Sequence, residues 1–240
     1  MNRPFVARTI VPSTMTSAGI GGVWGADDGS WGMEVYAVNG FQGGNAIDGY
    51  NISTSSGIRS ARPSLKTNGG DRPPSIVGRF SYSPVLGTEI GFSAWSGPWD
   101  DAGELDLTIS VFDITTDLGS YVEALGSTTV NFELGNVSID RDADAIAGGV
   151  PDELGATSIE VSRRFFPDML NKMFGEDASC ALTVRWEEQD LSAAVSNRMT
   201  YGFNVRPTDE TVIKFDFEQE STEGEEDPDG TFIMSVATYF

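Results

Sequence analysis

Along most of the chain the side chains alternate between apolar and polar with a period of two. In "LDLTISVF", Leu105, Leu107, Ile109 and Val111 oppose Asp106, Thr108 and Ser110, and in "TTVNFELG", Val130, Phe132 and Leu134 oppose Thr129, Asn131 and Glu133. Successive side chains of a strand point to opposite sides, so each stretch becomes a ribbon with one apolar face and one polar face. The same rhythm runs through "SIVGRFSYSP", "TEIGFSAW", "SIEVSRRF", "CALTVRWEE", "RMTYGFNVRP", "TVIKFDFEQ" and the closing "TFIMSVATYF". "SAGIGGVWGADDGSWGMEVYAVNG" reads as two glycine-rich strands about a "DDGS" turn, as close backbone approach or curvature would need. About eleven strands are predicted in this way. "PFVARTIVPS", ahead of them, is a weaker candidate for a twelfth.

The connections come in two kinds. "DDGS", "PVLG" and "RPTDE" are tight, whereas residues 39–74, 97–104, 140–156, 189–197 and 218–230 form longer polar links. The two kinds take turns, so a meander of these strands has a short-turn end and a long-loop end. Loops of about 12 or more residues are uncommon in compact soluble domains. "FPDMLNKMFGEDA" lies at the short-turn end by parity and is long for it, which predicts a small helix there.

Alternation alone also fits a soluble sheet with one face on a core. The kind of polar group that alternates separates the cases. Arg79, Glu89, Asp106, Glu133, Arg164, Arg185, Arg198, Arg206, Lys214 and Asp216 all fall on polar faces, as do Glu160, Glu187 and Glu218. Such a set furnishes a water-filled lumen, with the apolar set, including Phe80, Leu107, Phe132 and Phe215, turned to lipid. Trp24, Trp31, Trp95, Trp99, Tyr82, Phe165, Trp186, Tyr239 and Phe240 lie mostly near strand ends, where aromatic girdles sit. The fold expected is all-β, an antiparallel up-and-down transmembrane β-barrel, with residues 1–240 as a single barrel domain.

Composition removes several other classes. With 36 Asp+Glu against 15 Lys+Arg, the formal charge of -21 disfavours nucleic acid. No run approaches the roughly 18 to 20 apolar residues of a membrane helix, a test that leaves strands of about 9 to 11 residues untouched. The start, "MNRPFVARTIVPS", lacks the plan of a secretory signal. Cys180 stands alone and reads as a small apolar strand residue, and histidine is absent, so His-based triads cannot be built. Adjacent acids such as Asp100 and Asp101, or Glu187 and Glu188, point to opposite faces of a strand and share no site. "DRDAD" at 140–144 lacks the glycine and distal glutamate of a calcium loop. No catalytic residue, cofactor or metal is expected.

The chain resembles the C-terminal portion of a bacterial outer-membrane porin-like protein of the phosphate-selective porin superfamily. The resemblance runs through "RPFVARTIVPSTMTSAGIGGVWG", "WGMEVYAVNGFQG", "IVGRFSYSPVLGTEIGFSAWSG", "YGFNVRPTDETVIKFDFEQ" and "IMSVATYF". It covers nearly all of the chain, through loose patterns rather than catalytic motifs. It implies passive diffusion of small hydrophilic solutes or ions, a place in the bacterial outer membrane and contact with lipid and lipopolysaccharide. It also implies insertion by the barrel-assembly machinery, for which Phe240 would serve as part of the signal, and assembly as a homotrimer. Trp31, Tyr82, Trp186, Tyr239 and Phe240 are the interface and assembly candidates. Members have about sixteen strands and an even count is the rule for bacterial single-chain barrels. The expectation is therefore a part of a larger barrel, incomplete at its N-terminal side, or a twelfth strand over 5–11. Arg79, Arg185, Arg198, Arg206 and Lys214 would form a basic ladder, against the acidic balance of the loops. The alternative from another class is a secreted or soluble β-sandwich that binds carbohydrate, with Trp95 and Trp99 as stacking platforms.

Overall fold

The structure, a computed structural model, describes residues 4–11, 15–62, 74–175, 178–208, 210–224 and 228–238. Tyr239 and Phe240 lie outside the described residues. Among the described residues thirteen strands are formed: β1 (Gly19–Gly25), β2 (Trp31–Val38), β3 (Gly44–Asn45), β4 (Gly49–Tyr50), β5 (Ser75–Val85), β6 (Thr88–Pro98), β7 (Asp106–Asp117), β8 (Thr128–Ile139), β9 (Glu153–Phe165), β10 (Ser179–Asp190), β11 (Val195–Thr208), β12 (Thr211–Thr222) and β13 (Asp229–Thr238). All but β3 and β4 join one 11-stranded antiparallel sheet in which each strand pairs with its neighbour in sequence, from β1 at one edge to β13 at the other. The arrangement is one sheet, not the two packed sheets of a sandwich. Among the described residues no ladder joins β1 to β13.

Eleven strands match the count read from the alternation, but "PFVARTIVPS" is not a strand. Val6–Ile10 form a single π-helical turn. Phe5, Val6, Thr9 and Ile10 are buried, a spacing that suits a helix and not a ribbon. The turn packs on β8 and β9, where Gly135 makes room for it. A Cβ at Gly135 would come within 2.9 Å of Ile10 and 3.1 Å of Val6.

The link between β9 and β10 carries the small helix expected of it, Asp168–Phe174. The link after β10 is shorter than expected, because pairing of β10 with β11 continues out to Asp190 and Val195. The long connection after β2 does more than carry polar residues: Phe41, Ile52, Ile58 and Ala61 are buried in one cluster with Phe5, Val6, Trp95 and Trp99. Trp99 is wholly buried, meets Tyr50 at 5.8 Å between ring centroids and donates from its indole to the Asp140 carbonyl at 3.1 Å. Trp95 and Trp99 are thus core residues, not platforms open to a sugar.

Candidate functional site

The sheet has two unlike faces. One face, here the exposed face, carries Ile20 and Trp24 of β1, Phe80 and Tyr82 of β5, Phe92 of β6, Val184 and Trp186 of β10, Phe217 of β12 and Phe232 of β13, adjoining one another through the strand registers. Phe80, Leu182, Phe217 and Phe232 are 45%, 52%, 45% and 67% exposed. Phe203 stacks on Phe215 across β11 and β12, at 6.4 Å between centroids, and Phe112 meets Phe132 edge-on at 6.2 Å. Trp31, Tyr82 and Trp186 all belong to this face.

The opposite, covered face divides along the strands. Toward the long-loop end Val77, Trp95, Leu107, Ile109, Val137 and Leu154 meet the N-terminal turn and the segment 39–62 in an apolar core. Toward the short-turn end the same face is ionic. Reading across β9 to β12, one register row holds Glu160, Arg185, Thr200 and Glu218, and the next holds Ser158, Glu187, Arg198 and Glu220. A third row, closer to the short turns, holds Arg164, Ala181, Asn204 and Lys214, with Arg206 opposite Ser179.

Glu187 is the hub of the buried part. Its Oε2 accepts from Arg185 Nε at 3.0 Å and from Arg198 Nε at 2.9 Å, and its Oε1 accepts from the Phe5 backbone amide at 2.7 Å. Arg198 lies 4.2 Å over the Phe5 ring and reaches toward Glu218 at 3.9 Å, while Arg185 reaches Glu160 at 3.5 Å. Arg185, Arg198, Glu187, Glu218 and Asp216 are all buried. Charges removed from water are tolerated only when paired and hydrogen-bonded, as Arg185, Glu187 and Arg198 are here.

A second ionic group is half-exposed. Arg79 of β5 grips Asp113 of β7 through both guanidinium nitrogens, at 2.6 and 2.9 Å, and also reaches Glu89 at 3.0 Å. It spans the intervening strand at Gly91, where a Cβ would collide with the Arg79 guanidinium and the Asp113 carboxylate. A larger residue there would have to push this pair aside. Glu133 sits opposite Asp113 on one side and Ser158 on the other, and takes a long 3.5 Å hydrogen bond from the Ser158 hydroxyl.

Of the candidate residues, Arg79, Glu89, Glu133, Arg164, Arg185, Arg198, Arg206, Lys214 and Asp216 fall on the covered face by register. Asp106 does not. It lies on the opposite side from buried Leu107, exposed at the long-loop end, because the phase of hydrophobicity flips within β7. Leu107, Ile109 and Val111 face the core, after which Phe112 and Ile114 take the exposed face and Asp113 the covered one. Leu107 is accordingly a core residue, unlike Phe80, Phe132 and Phe215. The basic ladder is divided as well: Arg79, Arg185 and Arg198 are held by carboxylates. "DRDAD" is structural, with Asp142 accepting from the Ala145 amide at 2.8 Å to cap a short helix and Arg141 paired to Asp152 at 2.8 Å.

Four residues central to this wall were not picked out by the alternation: Phe5, Phe41, Ile52 and Ile58. Their signal was available as isolated apolar residues in otherwise polar segments, and as the helical spacing of Phe5, Val6, Thr9 and Ile10.

Searches against protein-family models and against curated proteins find no match. Among solved structures, a porin refined at 1.8 Å resolution is similar, with a TM-score of 0.51 at 10% sequence identity. The similarity covers 93% of this chain and 62% of the porin chain, so the chain spans under two thirds of that porin's length. At this identity the likeness speaks to fold, and the fold is porin-like: an up-and-down antiparallel sheet with strand-to-strand connections throughout.

Proposed function

We propose that the chain builds the wall of an outer-membrane channel through which small hydrophilic solutes or ions diffuse passively. One observation carries this reading: the apolar face of an eleven-stranded sheet is bare while the paired arginines and carboxylates lie on the other face. Leaving a large apolar side chain half in water forfeits on the order of 1 kcal/mol. Repeated across eleven strands, the loss reaches tens of kcal/mol, beyond the roughly 5–15 kcal/mol by which folded domains are stable. Hydrocarbon around that face removes the cost. Asp106, Thr108, Asn136 and Ser138, on the exposed face at the long-loop end, then mark where β7 and β8 leave the bilayer for water.

Unpaired strand edges do not survive in lipid, so the sheet has to close. With eleven strands, β1 and β13 run in the same direction. An all-antiparallel barrel therefore requires an odd number of further strands between them. We assign these to sequence beyond the eleven strands, as part of a larger barrel, with lipopolysaccharide and lipid on its outside.

In planar bilayers the protein is expected to give stepwise conductance increments. A bilayer that stays silent while correctly folded protein is present contradicts the proposal.

A further inference from the structure

We propose that the short-turn mouth of the covered face binds small dicarboxylates, one carboxylate on Arg164 and the other on Arg206, with Lys214 beside them. The assignment rests on the channel reading only for the route by which the ligand arrives. A cavity of about 400 Å3 lies here, lined among others by Arg164, Arg206, Asn204, Ser162 and Thr129.

These cations differ from the other arginines of the wall. Arg79, Arg185 and Arg198 are engaged by Asp113, Glu160, Glu187 or Glu218. Among the described residues, Arg164, Arg206 and Lys214 have no carboxylate within 4.0 Å. The one acid in the cavity wall, Asp117, already accepts from the Gly119 amide at 2.9 Å and caps the turn Leu118–Ser120. Within the cavity wall two guanidiniums thus face a single carboxylate, although the chain as a whole is strongly acidic.

The spacing selects the class of anion. Arg164 is on β9 and Arg206 on β11, with β10 between them. Two strand separations and an offset of two residues along the strands place their backbones about 12 Å apart. Ala181, opposite Arg164, is too short to fill the gap. A guanidinium fork matches one carboxylate with two parallel hydrogen bonds. Two forks on separate strands suit one molecule with two separated carboxylates better than a single compact anion. Lipid phosphates would meet the opposite face, so the ligand is a free solute.

The test is saturation-transfer NMR on the full chain in detergent, with succinate, acetate and inorganic phosphate as probes, alongside planar-bilayer conductance of the same preparation. Succinate is expected to bind about tenfold more tightly than acetate, and Arg164→Gln or Arg206→Gln to remove that advantage. Lys172→Gln, on the exposed helix at the same end, is expected to leave succinate binding unchanged, and the pair Arg164→Lys with Arg206→Lys, which keeps the charge and loses both forks, to weaken it less than either Gln variant does. Equal binding of succinate and acetate, or succinate binding indifferent to both Gln variants, overturns the site. So does inorganic phosphate displacing succinate at lower concentration than succinate itself requires. Conductance without discrimination between the carboxylates would leave the channel standing and remove the site, whereas succinate binding without conductance would do the reverse.

Discussion

The two halves of the covered face make an instructive pair. They lie on the same side of one sheet and follow one register, yet one, mainly on β5 to β9, is a dry core and the other, centred on β10 and β11, an ionic wall. The dry half is covered by chain that folds back on it, namely the turn Val6–Ile10 and the segment 39–62. The ionic half is stabilised by its own pairing, centred on Glu187. Phe5 joins the two, since its ring lies under Arg198 in the ionic half while its residue belongs to the apolar cluster. What covers a face decides its chemistry as much as which way its residues point.

The comparison can be broken most sharply by matched truncations in its two halves. Trp99→Ala empties a fully buried indole site and should cost about 3–5 kcal/mol. Glu187→Ala leaves two buried guanidiniums without their shared carboxylate and should cost a similar 3–5 kcal/mol or so. Urea unfolding of the detergent-solubilised protein measures both. The reversal potential separates them: loss of Glu187 should move it toward anions and loss of Trp99 should leave it in place. A shift with Trp99→Ala alone would mean that the halves are not independent.

A smaller effect is expected at the seam. Gly135→Val drives a side chain into Ile10 and Val6, and overpacking of this kind costs about 1–3 kcal/mol. Release of the N-terminal turn should then raise the single-channel conductance, and protease sensitivity near Arg8 should rise with it. Unchanged conductance would show that the turn does not narrow the path. The smallest effect belongs to Arg79, which is more than a third exposed. Arg79→Gln should lower stability by no more than about 1 kcal/mol, and less at high salt.

Much of this was legible in the sequence because a period of two reports side-chain direction with little ambiguity. Phe80, Phe217, Arg185, Lys214 and Asp216 could be sorted to opposite faces from spacing alone. What alternation does not report is the medium on each side. In β7 the adjacent apolar pair Val111 and Phe112 marks the point where hydrophobicity changes face, so alternation alone assigns Asp106 and Leu107 to the wrong faces. In the same way Trp95, directly after Ala94, points to the core and not to a girdle. The ion pairs were beyond reach, since Arg198 meets Glu187 and Arg79 meets Asp113 through register that only pairing fixes. The N-terminal turn was missed because five residues are too few to display a period against a background of strands.

The most direct test of the central claim is spin-label accessibility along β12 in protein reconstituted into lipid, on a Cys180→Ser background. Labels at Phe215→Cys and Phe217→Cys are predicted to collide with oxygen far more than with a water-soluble nickel complex, and labels at Lys214→Cys and Glu220→Cys are predicted to show no such preference for oxygen. Ready access of the nickel complex to positions 215 and 217, or the same response at all four, would contradict an apolar face in hydrocarbon and an ionic face turned away from it.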